Sequence, residues 1–241
     1  NELENLPSAR KVENSVENLT RKELECGFGE EDIDGPIIPL ATKGQEPTAS
    51  MGNYTPLAVL YDQPHIFFNY FRQQFAQVTN PAIDSIRENL LMSLTEYIGG
   101  VGSGIMNTDE SNCKMVRLPH PILTNTQLDI LQNIRYKGFN TVKLHMVFET
   151  AKGEEGLHEA LDELCKQAAQ SVDDGYNYII LSDRDVDATH AAIPSLLAVS
   201  AVHHYLIDAG KRVQTALIVE SGEIREVMHA AQHLGYAASS L

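Results

Sequence analysis

The 241-residue chain has no tryptophan, only three cysteines, and 18 basic residues against 33 acidic ones. The formal net charge of −15 argues against nucleic-acid binding, because a phosphate backbone would be repelled. Cys26, Cys113 and Cys165 follow no metal or disulfide spacing, so we interpret them as free thiols in a reducing compartment. No run approaches the ~20 apolar residues of a membrane span, and the N-terminus lacks the apolar segment of a secretory signal. We therefore expect a cytoplasmic protein with no membrane or nucleic-acid partner.

Hydrophobic residues make up 43% of the chain, enough for a substantial core in one large or two small domains. The first 44 residues are polar and acidic. A helix is expected over Leu19 to Phe28, while the two prolines near Ile37 to Leu40 favour an extended segment. We expect residues 1–44 to be an acidic extended or helical segment that wraps over a surface.

Residues 45–117 are expected to be the helical part of the main domain. A start signal at Asp62 and Pro64 precedes aromatic residues at helical spacing, namely Phe67, Tyr70, Phe71 and Phe75. A second helix is expected from Asp84, with an apolar stripe formed by Ile86, Leu90, Leu94 and Ile98. Residues 99–112 are rich in glycine and polar residues and are interpreted as a flexible connection.

Residues 118–241 alternate between strand and helix patterns. Strands are expected over 141–148, 176–181 and 212–219. Helices are expected from Leu157 to Val172, from Pro194 to Gly210 and from Glu223 to Gly235, and the rhythm calls for another strand after Ala238. A spacing of about 35 residues is typical of parallel βα units. The predicted fold is therefore α/β, with an incomplete, rudimentary βα-barrel-like parallel sheet and its helices after a helical or irregular N-terminal segment.

Carboxylates follow the second of these strands. Asp183, Asp185, Asp187 and His190 alternate as in a calcium loop, but Ala188 and Pro194 occupy the positions that need glycine and glutamate. A buried Asp183–Arg184 network is the simpler interpretation. A functional site stays open as an alternative, because sites in such folds form at this edge of the sheet.

The last strand runs into Glu220, Gly222 and Glu223. A strand–turn–helix junction of this kind can bind phosphate, but the two glutamates would repel an anion, and Glu223 suits the first turn of the helix. His229 and His233 have zinc spacing without a third ligand, so we interpret them as surface or interface histidines. We therefore predict no catalytic residue, no cofactor-binding residue and no metal site.

Long segments of the chain resemble one known family. EPTASMGNYTPLAVL (Glu46 to Leu60) and FAQVTNPAIDSIRE (Phe75 to Glu88) are similar to the central domain of glutamate synthase. The resemblance continues in DGYNYIILSDR (Asp174 to Arg184) and in VESGEIREVMHAAQHLGYAA (Val219 to Ala238) and spans roughly Glu25 to Ala238. Residues 45–241 are assigned to this domain.

The resemblance implies a non-catalytic connecting domain. In the family, an amidotransferase domain hydrolyses glutamine, and ammonia passes through a tunnel to an FMN domain. There 2-oxoglutarate is aminated and reduced, with electrons supplied through an iron–sulfur cluster. The partners implied are therefore the amidotransferase and FMN domains of the same polypeptide. The parent enzyme would carry FMN and the cluster, and this fragment would hold neither and be inactive alone.

The small, uncharged segment 48–53 is the candidate interface or tunnel wall, because such residues allow close backbone approach. It comprises Thr48, Ala49, Ser50, Met51, Gly52 and Asn53. An ordinary packed turn is the alternative for this segment. For the whole chain, the alternative is a free-standing βα-barrel-like enzyme or ligand-binding protein that uses the strand ends near Asp183 and Glu220.

Overall fold

The computed structural model describes residues 3, 19–45, 56–71, 82–101, 106, 108–134, 136 and 138–241. The chain divides into two compact units. One comprises residues 14–72, and the other comprises residues 1–13 together with 73–241. The division at 44/45 expected from composition stays a prediction.

The smaller unit contains short helices. Its α-helices are α1 (Leu19–Glu25), α2 (Glu30–Asp32) and α3 (Ile38–Lys43), and a π-helical turn over Ile33–Ile37 joins the last two. The prediction of an extended segment at Ile37 to Leu40 is therefore wrong. Both prolines lie within this helical stretch, Pro36 inside the π-helical turn and Pro39 in the first turn of α3.

The helix expected after Pro64 is also shorter than the spacing of its aromatic residues predicted. Within the described residues 61–71, Phe67–Tyr70 forms a helical turn of the 3₁₀ type, and Phe71 adopts an extended backbone. The rings of Phe67 and Phe71 still meet edge to face, with centroids 5.7 Å apart. Phe75 lies outside the described residues.

The first α-helix described in the larger unit is α4 (Ser85–Leu91). Asp84 caps this helix as expected, since its side chain accepts hydrogen bonds from the N–H groups of Ile86 and Arg87. The predicted apolar stripe is wrong beyond Leu90. The helix ends at Leu91, and Ile98 belongs to β1 (Glu96–Ile98), which pairs antiparallel with β2 (Val116–Leu118).

A parallel sheet of order β3-β5-β7 forms the centre of this unit. Its strands are β3 (Thr141–His145), β5 (Tyr178–Ser182) and β7 (Ala216–Glu220). The helices are α5 (Asn125–Gln132), α6 (Gly153–Asp173), α7 (Ser195–Asp208) and α8 (Val227–Gly235). A side pair of antiparallel strands consists of β4 (Val147–Glu149) and β6 (His190–Ala192). The parallel βα units predicted from the sequence are confirmed.

Both faces of the central sheet are buried, as is usual for parallel strands. Ile179 and Leu181 of β5 pack into a cluster with residues of α6 and α7, among them Leu164 and Val199. The alternate residues Tyr178 and Ile180 pack with a second cluster, which includes Ile98, Val116, Leu118 and Leu131. The β1–β2 pair and α5 thus cover the face opposite α6 and α7.

Residues 239–241, after Ala238, pair with β7 in the manner of the expected strand. Ser240 forms a parallel bridge with Ile218, and the N–H of Ser239 donates to the carbonyl of Leu217 at 2.7 Å. On its other side, Leu241 exchanges hydrogen bonds of 2.9 and 2.8 Å with Pro121 and Leu123. The sheet therefore continues from β7 through residues 239–241 to residues 121–123, and within the described part of the chain it does not close into a barrel.

Candidate functional site at the strand ends

The carboxyl ends of the three central strands lie side by side. His145, Ser182 and Glu220 are the last residues of β3, β5 and β7, and the strand register places them in one row. Polar side chains collect at this edge because the strands end there together. A functional site at this edge of the sheet was one of the two interpretations of the sequence.

Glu220 is the centre of the first group of polar side chains. Its carboxylate accepts a hydrogen bond of 2.6 Å from the Ser182 hydroxyl and lies 3.0 Å from Lys143 Nζ. Arg184 Nε forms a further ion pair with it, while the other end of that guanidinium donates to Asn125 at 3.1 Å. Burial acts to raise the pKa of Glu220, but the hydrogen bonds from Ser182, Lys143 and Arg184 outweigh it, so the pKa lies below its ordinary value. Glu220 is held as a carboxylate.

Asp183 forms a second, separate group. Its carboxylate accepts hydrogen bonds from the Ser221 hydroxyl at 2.6 Å and from the N–H of Gly222 at 3.0 Å. The expected Asp183–Arg184 network is therefore half right: Asp183 is buried, but Arg184 pairs with Glu220. Burial raises the pKa of Asp183, and the hydrogen bonds from Ser221 and Gly222 only partly oppose that effect.

The remaining residues of the calcium-like run point to partners within the protein. Asp185 pairs with His145, and Asp187 accepts hydrogen bonds from Thr189 and His190. The hydrogen bonds from Thr189 and then His190 hold the pKa of Asp187 well below its usual range. Among the described residues, no three His, Cys, Asp or Glu side chains are grouped so that they could hold a metal ion.

Glu223 has a role that the sequence did not indicate. The expected helix start at Glu223 is wrong, since α8 begins at Val227. The Glu223 carboxylate instead caps α7, whose N-cap residue Pro194 offers no side-chain hydrogen bond. It accepts from the N–H and from the hydroxyl of Ser195 at 2.9 and 2.8 Å. A cap supplied from 28 positions along the chain leaves no local sequence signal.

His229 and His233 are buried in α8, so their assignment as surface or interface histidines is wrong. Both belong to the same environment as Glu223. His233 Nε2 lies 3.0 Å from the Ser195 hydroxyl, and its Nδ1 lies 2.9 Å from the carbonyl of His229. Burial lowers the pKa of both histidines below the ordinary value. The helical i, i+4 spacing thus serves packing and hydrogen bonding.

The remaining sequence predictions concern the segment 48–53, the cysteines and membrane-spanning helices. The interface candidates Thr48, Ala49, Ser50, Met51, Gly52 and Asn53 lie outside the described residues, so their role stays a prediction. Cys26, Cys113 and Cys165 take part in no disulfide bond, and burial raises the pKa of the Cys165 thiol to about 11. No helix in the described parts of the chain is long and apolar enough to span a membrane.

Taken together, the strand-end carboxylates accept hydrogen bonds and ion pairs from the central strands and from the loops that follow them. Glu220 binds two cations and a hydroxyl, and Asp183 binds a hydroxyl and a backbone N–H. Such an arrangement fixes the loops after β5 and β7 to each other. Its chemistry is that of a structural network around two fixed carboxylates.

Sequence comparison identifies relatives over nearly the whole chain. The family model described as glutamate synthase central domain matches residues 21–241. The chain is 40% identical over 235 residues to the NADPH glutamate synthase large chain of Bacillus subtilis, covering 98% of this chain and 15% of that protein. It is 40% identical over 220 residues to the NADH glutamate synthase of Schizosaccharomyces pombe, covering 90% of this chain and 10% of that protein.

A plant relative extends the comparison to a third electron donor. The chain is 39% identical over 228 residues to the chloroplastic ferredoxin-dependent glutamate synthase of Spinacia oleracea, covering 93% of this chain and 14% of that protein. The chain thus spans only about a tenth to a seventh of these relatives' lengths, which contain much additional sequence. The family match begins at residue 21 and ends at residue 241, so it extends slightly beyond the span of the resemblance at both ends. The chain belongs to the glutamate synthase central domain family.

Proposed function

We propose that this chain is the non-catalytic connecting domain of a glutamate synthase, and that it links the glutamine amidotransferase and FMN domains and forms part of the wall of the ammonia tunnel. The observation that carries the proposal is the family match over residues 21–241, within relatives about seven to ten times longer. FMN and an iron–sulfur cluster belong, in this proposal, to the other domains, and the whole polypeptide works in the cytoplasm on glutamine and 2-oxoglutarate.

The strand-end geometry supports a connecting role over a ligand-binding one. Glu220 has an ion pair with Lys143 and one with Arg184, and Asp183 binds Ser221 and Gly222. A site built for a ligand would aim such groups at the ligand and leave them partly unsatisfied without it. In this sheet edge the carboxylates brace adjacent loops instead.

The test uses the full-length enzyme with Ala49→Trp or Gly52→Trp. If the segment 48–53 forms an interface or tunnel wall, a bulky ring there should make ammonia leak to solvent. Flavin reduction, 2-oxoglutarate binding and glutaminase activity should persist, while the ratio of free ammonia to glutamate formed rises severalfold. That ratio is measured from ammonia release and glutamate production in the same reaction.

Lys166→Trp provides a matched control, because Lys166 lies on the exposed face of α6. It should keep the two half-reactions coupled. A fully coupled Gly52→Trp enzyme with normal rates would count against the proposal. So would unfolding of the chain carrying this substitution, since that would make the segment a packed turn.

A further inference from the structure

The guanidinium of Arg212 joins three parts of the larger unit. Arg212 lies in the turn before β7 and is partly buried. Its Nη1 donates a hydrogen bond of 2.7 Å to the carbonyl of Thr215, and its Nη2 donates one of 2.7 Å to the carbonyl of Ala237. The third donor, Nε, lies 2.9 Å from Nδ1 of His203. One side chain thus connects α7, the start of β7 and the segment after α8.

Ala237 is the partner of Arg212 with the least favourable backbone. Its φ of 73° lies in the left-handed region, which alanine rarely adopts because its Cβ atom is crowded there. Immediately after this residue the chain enters the sheet, where the N–H of Ser239 donates to the carbonyl of Leu217 at 2.7 Å. The hydrogen bond from Arg212 therefore supports the turn that directs residues 239–241 into the sheet.

The contact with Arg212 determines the protonation state that His203 must have. A guanidinium has only donors, so Nδ1 of His203 must accept the hydrogen bond through its lone pair. A neutral ring does this as the Nε2–H tautomer. A protonated ring carries a hydrogen on Nδ1 as well, so two N–H groups and two positive charges would face each other. Protonation of His203 therefore turns an attraction into a repulsion.

The planar shape of the guanidinium transmits this repulsion to the other two hydrogen bonds. Its N–H groups lie in one rigid plane, so a movement of Nε away from the charged ring also moves Nη1 and Nη2. We propose that His203 is an acid-sensitive anchor for Arg212. The neutral ring holds the guanidinium against the turn at Ala237, and the protonated ring releases it, so that residues 239–241 open locally from the sheet.

The groups that act on His203 oppose its protonation. Burial lowers the pKa of His203, and the positive charges of Arg212 and His204 lower it further. Arg212 faces the ring from the turn before β7, and His204 faces it from α7 itself, with the two imidazoles edge to face and their centroids 5.1 Å apart. Because the pKa in the folded chain is lowered, the anchored arrangement is intact above the ordinary value of 6.5 and is lost as the pH falls below it.

The test is amide hydrogen exchange, followed by NMR on the 241-residue chain between about pH 7 and about pH 5. Protection of the Ser239 N–H, corrected for intrinsic exchange, should fall about fivefold or more across this range, because its segment loses the support of Arg212. The N–H of Ile180, in the buried centre of β5, should stay better protected than that of Ser239 at each pH. That difference shows that the opening is local.

His203→Asn removes the proton site and keeps an acceptor, because Oδ1 of an asparagine lies at about the position of Nδ1. In this variant the protection of Ser239 should stay high at both ends of the pH range. His204→Asn is the matched control. It makes the same replacement at the neighbouring residue, whose Nδ1 contacts the carbonyl of Ser200 at 2.8 Å, and it should keep the loss of protection in acid.

Two results in the unmodified chain would overturn the proposal even if a variant failed to fold. One is an Nδ1–H tautomer of neutral His203 in ¹⁵N spectra, since that ring could not accept from Arg212. The other is a Ser239 protection that does not change with pH or equals that of Ile180. A loss of protection in His203→Asn as large as in the unmodified chain would overturn it as well.

Discussion

Among the described glycines, Gly100 leaves the least room for a side chain. A Cβ atom built there would lie 1.9 Å from the carbonyl oxygen of Gln214, a backbone atom that cannot move aside by a rotamer change. The next residue, Val101, donates its N–H to the carbonyl of Val213 at 2.8 Å. The start of the segment that the sequence marked as a flexible connection is therefore held against the turn before β7.

Gly100→Ala should lower the free energy of unfolding by about 3 kcal/mol, because the methyl group would push two backbone segments apart. Urea denaturation of the purified chain measures the effect. Gly235→Ala is the control, since a Cβ there has no atom within 4 Å, and it should change stability by less than about 1 kcal/mol. Equal effects of the two substitutions would refute the proposed restriction.

At the scale of secondary-structure elements, the contacts of the Glu220 carboxylate connect three strands and one helix. It receives Ser182 from β5 and Lys143 from β3, and Arg184 links it to Asn125 at the start of α5. Glu220 is only 11% exposed at its side chain, so water screens these contacts weakly. The neutral amide of a glutamine would leave the positive charges of Lys143 and Arg184 without this negative partner.

Glu220→Gln should destabilise the chain by about 2 kcal/mol at neutral pH, measured by thermal or urea unfolding. Because the folded pKa of Glu220 is lowered, its contribution is present above the unfolded value of 4.5 and is lost as pH falls through the folded pKa. Glu159→Gln removes an exposed partner of Lys152 and should cost less than about 0.5 kcal/mol. A Glu220→Gln chain as stable as the control variant would contradict the network.

Elements with strong local signals were predictable from the sequence. The apolar face of α6 and the glycines after α6 and α7 gave their positions, and the buried run of β5 gave the central strand. Elements held by distant partners were not predictable. The β1–β2 pair joins residues some 20 positions apart across a polar connection, and its three-residue strands are too short for a periodic pattern.

The residues of the candidate site were likewise predictable only where the sequence signal is local. The sequence placed Asp183 and Glu220 at strand ends because they follow buried runs directly. It missed Lys143 and Ser182 as neighbours of Glu220, missed Ser195 as the partner of Glu223, and paired Arg184 with the wrong carboxylate. Those contacts depend on strand register and on a cap that comes from another element, and no local pattern records either one.

For the molecule as a whole, two buried histidines and the half-buried His203 contribute to how stability responds to mild acid. Burial lowers the pKa of His203, His229 and His233 below the ordinary value of 6.5, so the folded chain binds fewer protons than the unfolded chain. Stability should therefore fall as pH drops through about 6.5. Asp183 acts in the opposite sense, because its raised pKa favours the folded state as pH falls.

Urea unfolding at several pH values measures this slope. His233→Gln should make the slope shallower, whatever its effect on absolute stability, because one buried proton acceptor is gone. A stability that stays constant or rises between neutral and mildly acidic pH would show that the histidines do not dominate the pH dependence of stability. An unchanged slope in His233→Gln would show that His233 does not contribute to that dependence.

Residues 239–241 lie between two other strand segments and so act as an inner strand of the sheet. Ser239 bonds to β7 through Leu217, and Leu241 bonds to residues 121–123. Removing these three residues would expose two unpaired strand edges at once, 119 positions apart at the Ser240–Pro121 contact. Unpaired edges recruit strands from other chains, so a chain shortened to Ala238 should self-associate. Light scattering at increasing concentration detects this, and a monomeric shortened chain would contradict it.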